Sequence, residues 1–433
     1  MRKIFFIYIS FNVAYNSASQ NIVTPPAAKS NEVQRPKLMV GIVIDQMRWD
    51  YLYRYYDLYK PDGGFKELIN RGFSCENTFI PYTPTVTACG HTCIYSGSIP
   101  AIDGIAGNEW CDYNSSQMVY CTEDDNVKTI GSSTDAGRMS PHNLLVTTIG
   151  DELHLAANFR NKVIGIALKD RSAILAVGHS ADAAYWYDEK TGDWISSSYY
   201  MNDLPKWVKE LNAKKLVDGY YAQNWNTLYP LTSYTQSTPD EEPYEYRPFG
   251  AKSFPYNLSQ FVGKNYGILP VTPYGNTLTF EMARAAINGE HLGSDSITDL
   301  LAISVSTPDY IGHTFGPNSV EAEDDFLRLD KELGDFLRFL DKQVGNGKYL
   351  VFLSADHGVA HVPAFLKEHK IPSGNVEDQK YSDQLNGALK SRFNIDKLVI
   401  GIFHNQVYLD RNAMTSSHLD KRQVYGVIID FLL

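Results

Sequence analysis

A chain of 433 residues, 43% hydrophobic and 21% charged, has the composition of a large folded protein of one or two domains, which excludes wholesale disorder. The formal net charge of −11 excludes the broad positive field that nucleic-acid binding needs. It still permits an anionic ligand where cations or metal ions are gathered locally.

In chain order, Arg2 and Lys3, the apolar run Ile4 to Phe11 and the small residues Asn16-Ser17-Ala18-Ser19 read as an export signal over 1–19, followed by a leader over 20–36. The run is shorter than the ~20 apolar residues that span a bilayer, and no later segment reaches that length. The expectation is a secreted or periplasmic protein without stable membrane insertion. The runs at 38–44, 163–168, 300–305 and 349–353 are short, β-branched and bounded by turn residues, as in parallel strands buried on both faces. Between the early strands, Cys111 and Cys121 flank the polar stretch 112–119 and are expected to form a disulfide. Cys89 and Cys93 share a helical face, and five cysteines leave at least one thiol free.

Residues 184–273 are rich in Tyr, Trp, Asn, Ser and Pro, and the stretch is too long for a loop. They are read as an inserted cap sub-domain, with an irregular packing insertion as the equal alternative. The spacing predicts a helix over 320–344, with Phe326, Leu327, Leu333, Phe336, Leu337 and Leu340 in one stripe. Strands alternating with helices over 37–183 and 274–433 imply an α/β fold, a doubly wound and mostly parallel sheet flanked by helices.

Three predicted strands deliver carboxylates at their C-terminal ends, where open parallel sheets bind ligands: Asp45, Asp309 with His313, and Asp356 with His357. A lone Asp in such a place is usually a helix cap or turn former. Three of them, two with an imidazole nearby, point to metal, and oxygen plus nitrogen donors without thiolate fit zinc ahead of manganese or magnesium. Two such clusters on one edge imply two ions.

The segment 84–97 places Thr87 near a helix N-terminus, where it is either a capping residue or a hydroxyl set in an anion-binding position. As nucleophile it would need activation, and Thr85 stays open as the alternative. Lys169 and Arg171 follow another strand and, by alternation, project to one side with Asp170 on the other. They could grip a phosphoryl group, or form a solvated turn.

The set Ile44-Asp45-Gln46-Met47-Arg48, Thr87-Ala88-Cys89-Gly90-His91, Gly107-Asn108-Glu109-Trp110, Leu168-Lys169-Asp170-Arg171, Asp309-Tyr310-Ile311-Gly312-His313 and Ala355-Asp356-His357-Gly358 resembles the phosphate-irrepressible alkaline phosphatases (PafA type). The likeness runs from about residue 36 onward, with the motifs in family order. It implies an alkaline-phosphatase-like fold and hydrolysis of phosphate monoesters through a phospho-threonine on Thr87. It also implies a zinc on Asp45, Asp356 and His357 that contacts Thr87, a second zinc on Asp309 and His313, and phosphate contacts from Asn108, Lys169 and Arg171. The Lys/Arg pair is not expected in related nucleotide pyrophosphatases and diesterases, so it favours monoesters. Small phosphate esters are the implied partners, and a monomer is the default assembly.

Two positions depart from the family pattern. Cys89 replaces a proline. The third His of the Asp309/His313 zinc, expected in a Thr-x-His-Gly-like motif, has no counterpart, with His361, His404 and His418 the available imidazoles. The expectation is a chain cut short within a helix near 423–433. The alternatives are a phosphodiesterase or nucleotide pyrophosphatase of the same superfamily, and a non-catalytic remnant. No cysteine lies in a sulfatase-type Cys-x-Pro-x-Arg or Cys-x-Ala-x-Arg context.

Overall fold

Strands buried on both faces must stack side by side, and seven strands form one sheet. They are β1 (Leu38–Ile44), β2 (Thr129–Ile130), β3 (Val163–Ala167), β4 (Ala183–Asp188), β5 (Asp193–Ser197), β6 (Asp299–Val305) and β7 (Tyr349–Ser354), in spatial order β7-β1-β6-β3-β4-β5-β2. The first five in that order run parallel, while β5 pairs antiparallel with both β4 and β2. The computed structural model describes residues 35–113, 115, 117–403 and 406–433. The export signal, most of the leader and His404 lie outside the described residues.

Strand alternation divides the core in two. Leu38, Val40, Ile42 and Ile44 join Ile164, Ile166, Leu301 and Ile303 on one face, and Val43, Val163, Ala167, Leu300 and Ala302 turn to the other. Helices cover both. Tyr95 of α1 (Thr87–Ser96) and Ala173 and Ile174 of α2 (Asp170–Leu175) pack on the second face. The first is covered by α3 (Tyr274–Glu290) and α5 (Val320–Leu340), with α4 (Thr307–Phe315) following β6. Each enclosed Leu or Ile contributes about 1.5–3 kcal/mol by leaving water. This is the doubly wound α/β architecture implied by the runs.

Helix α5 begins at Ser319, whose side chain accepts from the Ala322 N–H. Its α-helical part stops at Leu340, and the wider turn Asp341–Gly345 completes the stretch expected to be helical. The region 184–273 opens within β4 and β5 of the main sheet, and its aromatics Trp194, Tyr221, Trp225, Phe249 and Tyr256 enter the larger core. Residues 378–432 carry a smaller core of their own, with Leu385, Leu389, Leu398 and Val424 around a hairpin at 399–409. Among the described residues, no helix is long and apolar enough to cross a membrane.

The Cys111–Cys121 disulfide is corrected: all five cysteines are free thiols. Cys111 stands opposite Met118 in the hairpin Glu109–Cys111 with Met118–Tyr120, so Cys121 falls beyond the register and its N–H donates to the Asn108 carbonyl.

Candidate active site

Asp45 directly follows β1, and the next residue turns sharply, with Gln46 in the left-handed region at φ 63°. That turn aims the Gln46 N–H at Asp356 Oδ1 (3.1 Å) and its Nε2 at Asp309 Oδ1 (2.6 Å). One residue thereby joins the carboxylates that follow β1, β6 and β7. Asp356 Oδ1 also accepts from the His357 N–H at 2.8 Å. The His357 Nδ1 lies 2.8 Å from the Gly358 carbonyl, and its Nε2 lies 3.4 Å from Asp45 Oδ1. A ring nitrogen tied to a carbonyl leaves the other free for a ligand.

The five expected metal-binding carboxylates and imidazoles thus converge, with one at the periphery. Asp45, Asp309 and His357 each offer a donor atom within 4.8 Å of the others. His313, one helical turn after Asp309, is largely exposed, with Nε2 3.2 Å from Asp309 Oδ1. His361, weighed as a third donor for that pair, is engaged instead by Arg48 Nη1 (3.2 Å) and Asn318 Nδ2 (2.8 Å).

Thr87 is the first residue of α1, and it is buried while Thr85 is exposed. The Ala88 N–H in that first turn donates to Asn108 Oδ1 at 2.9 Å, so Asn108 caps α1 from a different segment. Lys169 Nζ reaches Asp45 Oδ2 (2.7 Å) and Asp309 Oδ2 (2.5 Å), with Thr87 Oγ1 3.5 Å away. The alternation expected at 168–171 gives way to a helix start at Asp170. Lys169 and Arg171 nevertheless line the same cavity of about 400 Å³, together with Thr85, Thr87, Asn108, Asp309, Tyr310, His313 and His357.

Electrostatics separate the acids. Burial, and then the Asp356 charge, pushes the Asp45 carboxyl up to about 7. Burial opposes charge on Asp356 too, yet His91 and His357 outweigh it and hold that carboxyl at about 2. Asp309 is held below the ordinary carboxylate range, with burial overcome by Lys169 and His313.

Three residues at or beside the site were not read as functional from the sequence. Gln46 is the hub described above. His91, fully buried in α1, places Nδ1 2.9 Å from the Thr87 carbonyl and 3.3 Å from Asp356 Oδ2, with Nε2 2.9 Å from Ser304 Oγ. Its i,i+4 spacing from Thr87 was the available signal. The third, Tyr120, receives a hydrogen bond from Arg171 at 2.9 Å, and nothing local in the sequence announces it.

A family model described as type I phosphodiesterase / nucleotide pyrophosphatase matches residues 39–422. Alkaline phosphatase PhoV of Synechococcus elongatus is 51% identical over 437 residues, spanning 100% of this chain and 79% of its own. Alkaline phosphatase PafA of Elizabethkingia meningoseptica is 49% identical over 409 residues, spanning 93% of this chain and 74% of its own. The crystal structure of wild-type PafA matches with a TM-score of 0.88 at 47% identity, over 92% of this chain and 76% of that one. Fold and site together define a phosphatase built on a mostly parallel α/β sheet. The chain belongs to the type I phosphodiesterase / nucleotide pyrophosphatase family and, within it, to the PafA-type alkaline phosphatases.

Proposed function

We propose that this protein hydrolyses phosphate monoesters in two steps through a phospho-threonine on Thr87, with zinc held by Asp45, Asp356, His357, Asp309 and His313. The observation that carries this reading is the position of Thr87 Oγ1, in a buried wall of the cavity and 3.5 Å from Lys169 Nζ. Small phosphate esters outside the cytoplasm are the substrates this reading implies, given the export signal expected over 1–19.

The donor set suits the metal. Asp45 Oδ1 and Asp356 Oδ2 are buried and make no close hydrogen bond, with His357 Nε2 3.4 Å from the first and His91 Nδ1 3.3 Å from the second, so a cation would supply a close partner to both oxygens. Asp45, Asp356 and His357 would hold one ion, and Asp309 with His313 would contribute to a second. When bound, such ions neutralise charge on reacting oxygens and lower the pKa of a coordinated hydroxyl.

The chain's own groups account for the remaining roles. Thr87 Oγ1 forms the new bond to phosphorus as the bond to the departing alcohol breaks, and water then cleaves the phospho-threonine and restores the hydroxyl. Lys169 and Arg171 meet non-bridging oxygens, whose extra negative charge in a monoester they offset. Because Asn108 Oδ1 already accepts from Ala88, its amide nitrogen is the group left for a phosphoryl oxygen.

The test uses the 433-residue chain: zinc content, with hydrolysis of p-nitrophenyl phosphate and of bis(p-nitrophenyl) phosphate. Zinc-dependent turnover that strongly favours the monoester is expected. Faster cleavage of the diester would overturn the monoester reading, and full turnover in chelator would overturn the zinc.

A further inference from the structure

We infer that Tyr120 is a positioning residue whose phenol oxygen, backed by Asp170, holds the Arg171 guanidinium in place for the phosphoryl group. This rests on the proposed role of Arg171 above. Tyr120 does not line the cavity, so any effect it has on substrate passes through another side chain.

Direction of the hydrogen bonds makes the case. Tyr120 OH donates to Asp170 Oδ1 at 2.9 Å and accepts from Arg171 Nη1 at 2.9 Å. A phenol has one proton to give, so once it points at the carboxylate its lone pairs face the guanidinium. Burial first, then the Asp170 charge, keeps that phenol above its ordinary pKa, and the proton stays in place. Thr122 Oγ1 donates to the other Asp170 oxygen, so both carboxylate oxygens are engaged by the segment 120–122.

Among the described residues, Tyr120 is the hydrogen-bond partner of the Arg171 guanidinium, whose Nε is buried without one, while Asp170 and Tyr310 act on it through charge. Tyr120 and Thr122 flank Cys121, whose N–H donates to the Asn108 carbonyl at 3.0 Å. One short segment therefore sets both Asn108 and Arg171 relative to Thr87.

The experiment is a double-mutant cycle on the purified full chain, reading kcat/KM for p-nitrophenyl phosphate and inhibition by inorganic phosphate. Tyr120→Phe removes the oxygen and keeps the ring. It is expected to weaken both readouts about ten-fold, the usual worth of a hydrogen bond to a charged group. In an Arg171→Ala background the same change is expected to cost less than about two-fold, because the two act as one unit. Asp170→Asn should give a smaller loss with the same dependence on Arg171, and it carries the cycle should Tyr120→Phe fail to fold. Equal losses in both backgrounds would overturn the inference, as would an unimpaired Tyr120→Phe beside an impaired Arg171→Ala. An Arg171→Ala variant with unaltered phosphate inhibition would overturn the underlying reading of the site, and the inference with it.

Discussion

Lys169 Nζ lies 2.5 Å from Asp309 Oδ2, a buried ion pair inside the candidate active site, and 2.7 Å from Asp45 Oδ2. Burial alone would discharge the lysine, yet Asp45 and Asp309 outweigh it and hold the ammonium above its ordinary pKa. The ammonium faces the oxygens that divalent ions would claim, so ion and lysine compete for them. Lys169→Met in chelator should therefore lose about 3 kcal/mol by urea denaturation, the cost of stranding buried charge. Added zinc should stabilise the variant more than the unaltered protein. An unchanged denaturation midpoint in chelator would show that the pair carries no weight.

Close packing between α1 and the residues after β7 gives a second prediction. A Cβ added at Gly90 would sit 2.4 Å from the Asp356 carbonyl oxygen and 2.6 Å from its Cβ, so helix and loop must part. Gly90→Ala should cost about 2 kcal/mol of stability. It should also lower zinc content, because Asp356 is the residue displaced. Full zinc occupancy in the variant would mean that Asp356 tolerates the shift or does not bind metal.

A third prediction concerns the first turn of α5. Glu321 is fully buried and accepts from Tyr256 OH, and its carboxyl is pushed up to about 8, by burial first and by Glu245 second. The folded state holds this proton more tightly than the unfolded chain, where the carboxyl titrates near 4.5. Its contribution to stability is present below that lower pKa and is lost as pH rises towards about 8, at up to on the order of 1 kcal/mol per pH unit. Glu321→Gln keeps an acceptor for Tyr256 and should flatten the decline in urea stability between pH 5.5 and 8.5. An identical slope in the variant would assign the decline to other groups.

Four of the five parallel strands were legible as continuous apolar runs, three of them buried on both faces and the fourth, β7, lying at the sheet's edge with Leu350 half exposed, and those runs bound Asp45, Asp309 and Asp356 at the C-terminal end of the sheet. Their convergence then followed from the parallel order of β7, β1 and β6. The short strands β2 and β5 at the far edge were not legible, since two to five residues paired antiparallel leave little pattern. Gln46 and Tyr120 escaped for a different reason: their partners lie 263 and 51 residues away, and the chain records no trace of such pairings. The cysteine pairing failed on register, because a hairpin that sets Cys111 opposite Met118 carries Cys121 past it.

The most direct test of the central claim compares Thr87→Ala with Thr85→Ala for p-nitrophenyl phosphate turnover with zinc present. Loss of the nucleophile should reduce kcat/KM by at least about a thousand-fold while inorganic phosphate still binds, and Thr85→Ala should remain within about ten-fold of the unaltered enzyme. Retained turnover in Thr87→Ala, with the loss appearing in Thr85→Ala, would contradict the account and move the nucleophile two residues along the chain.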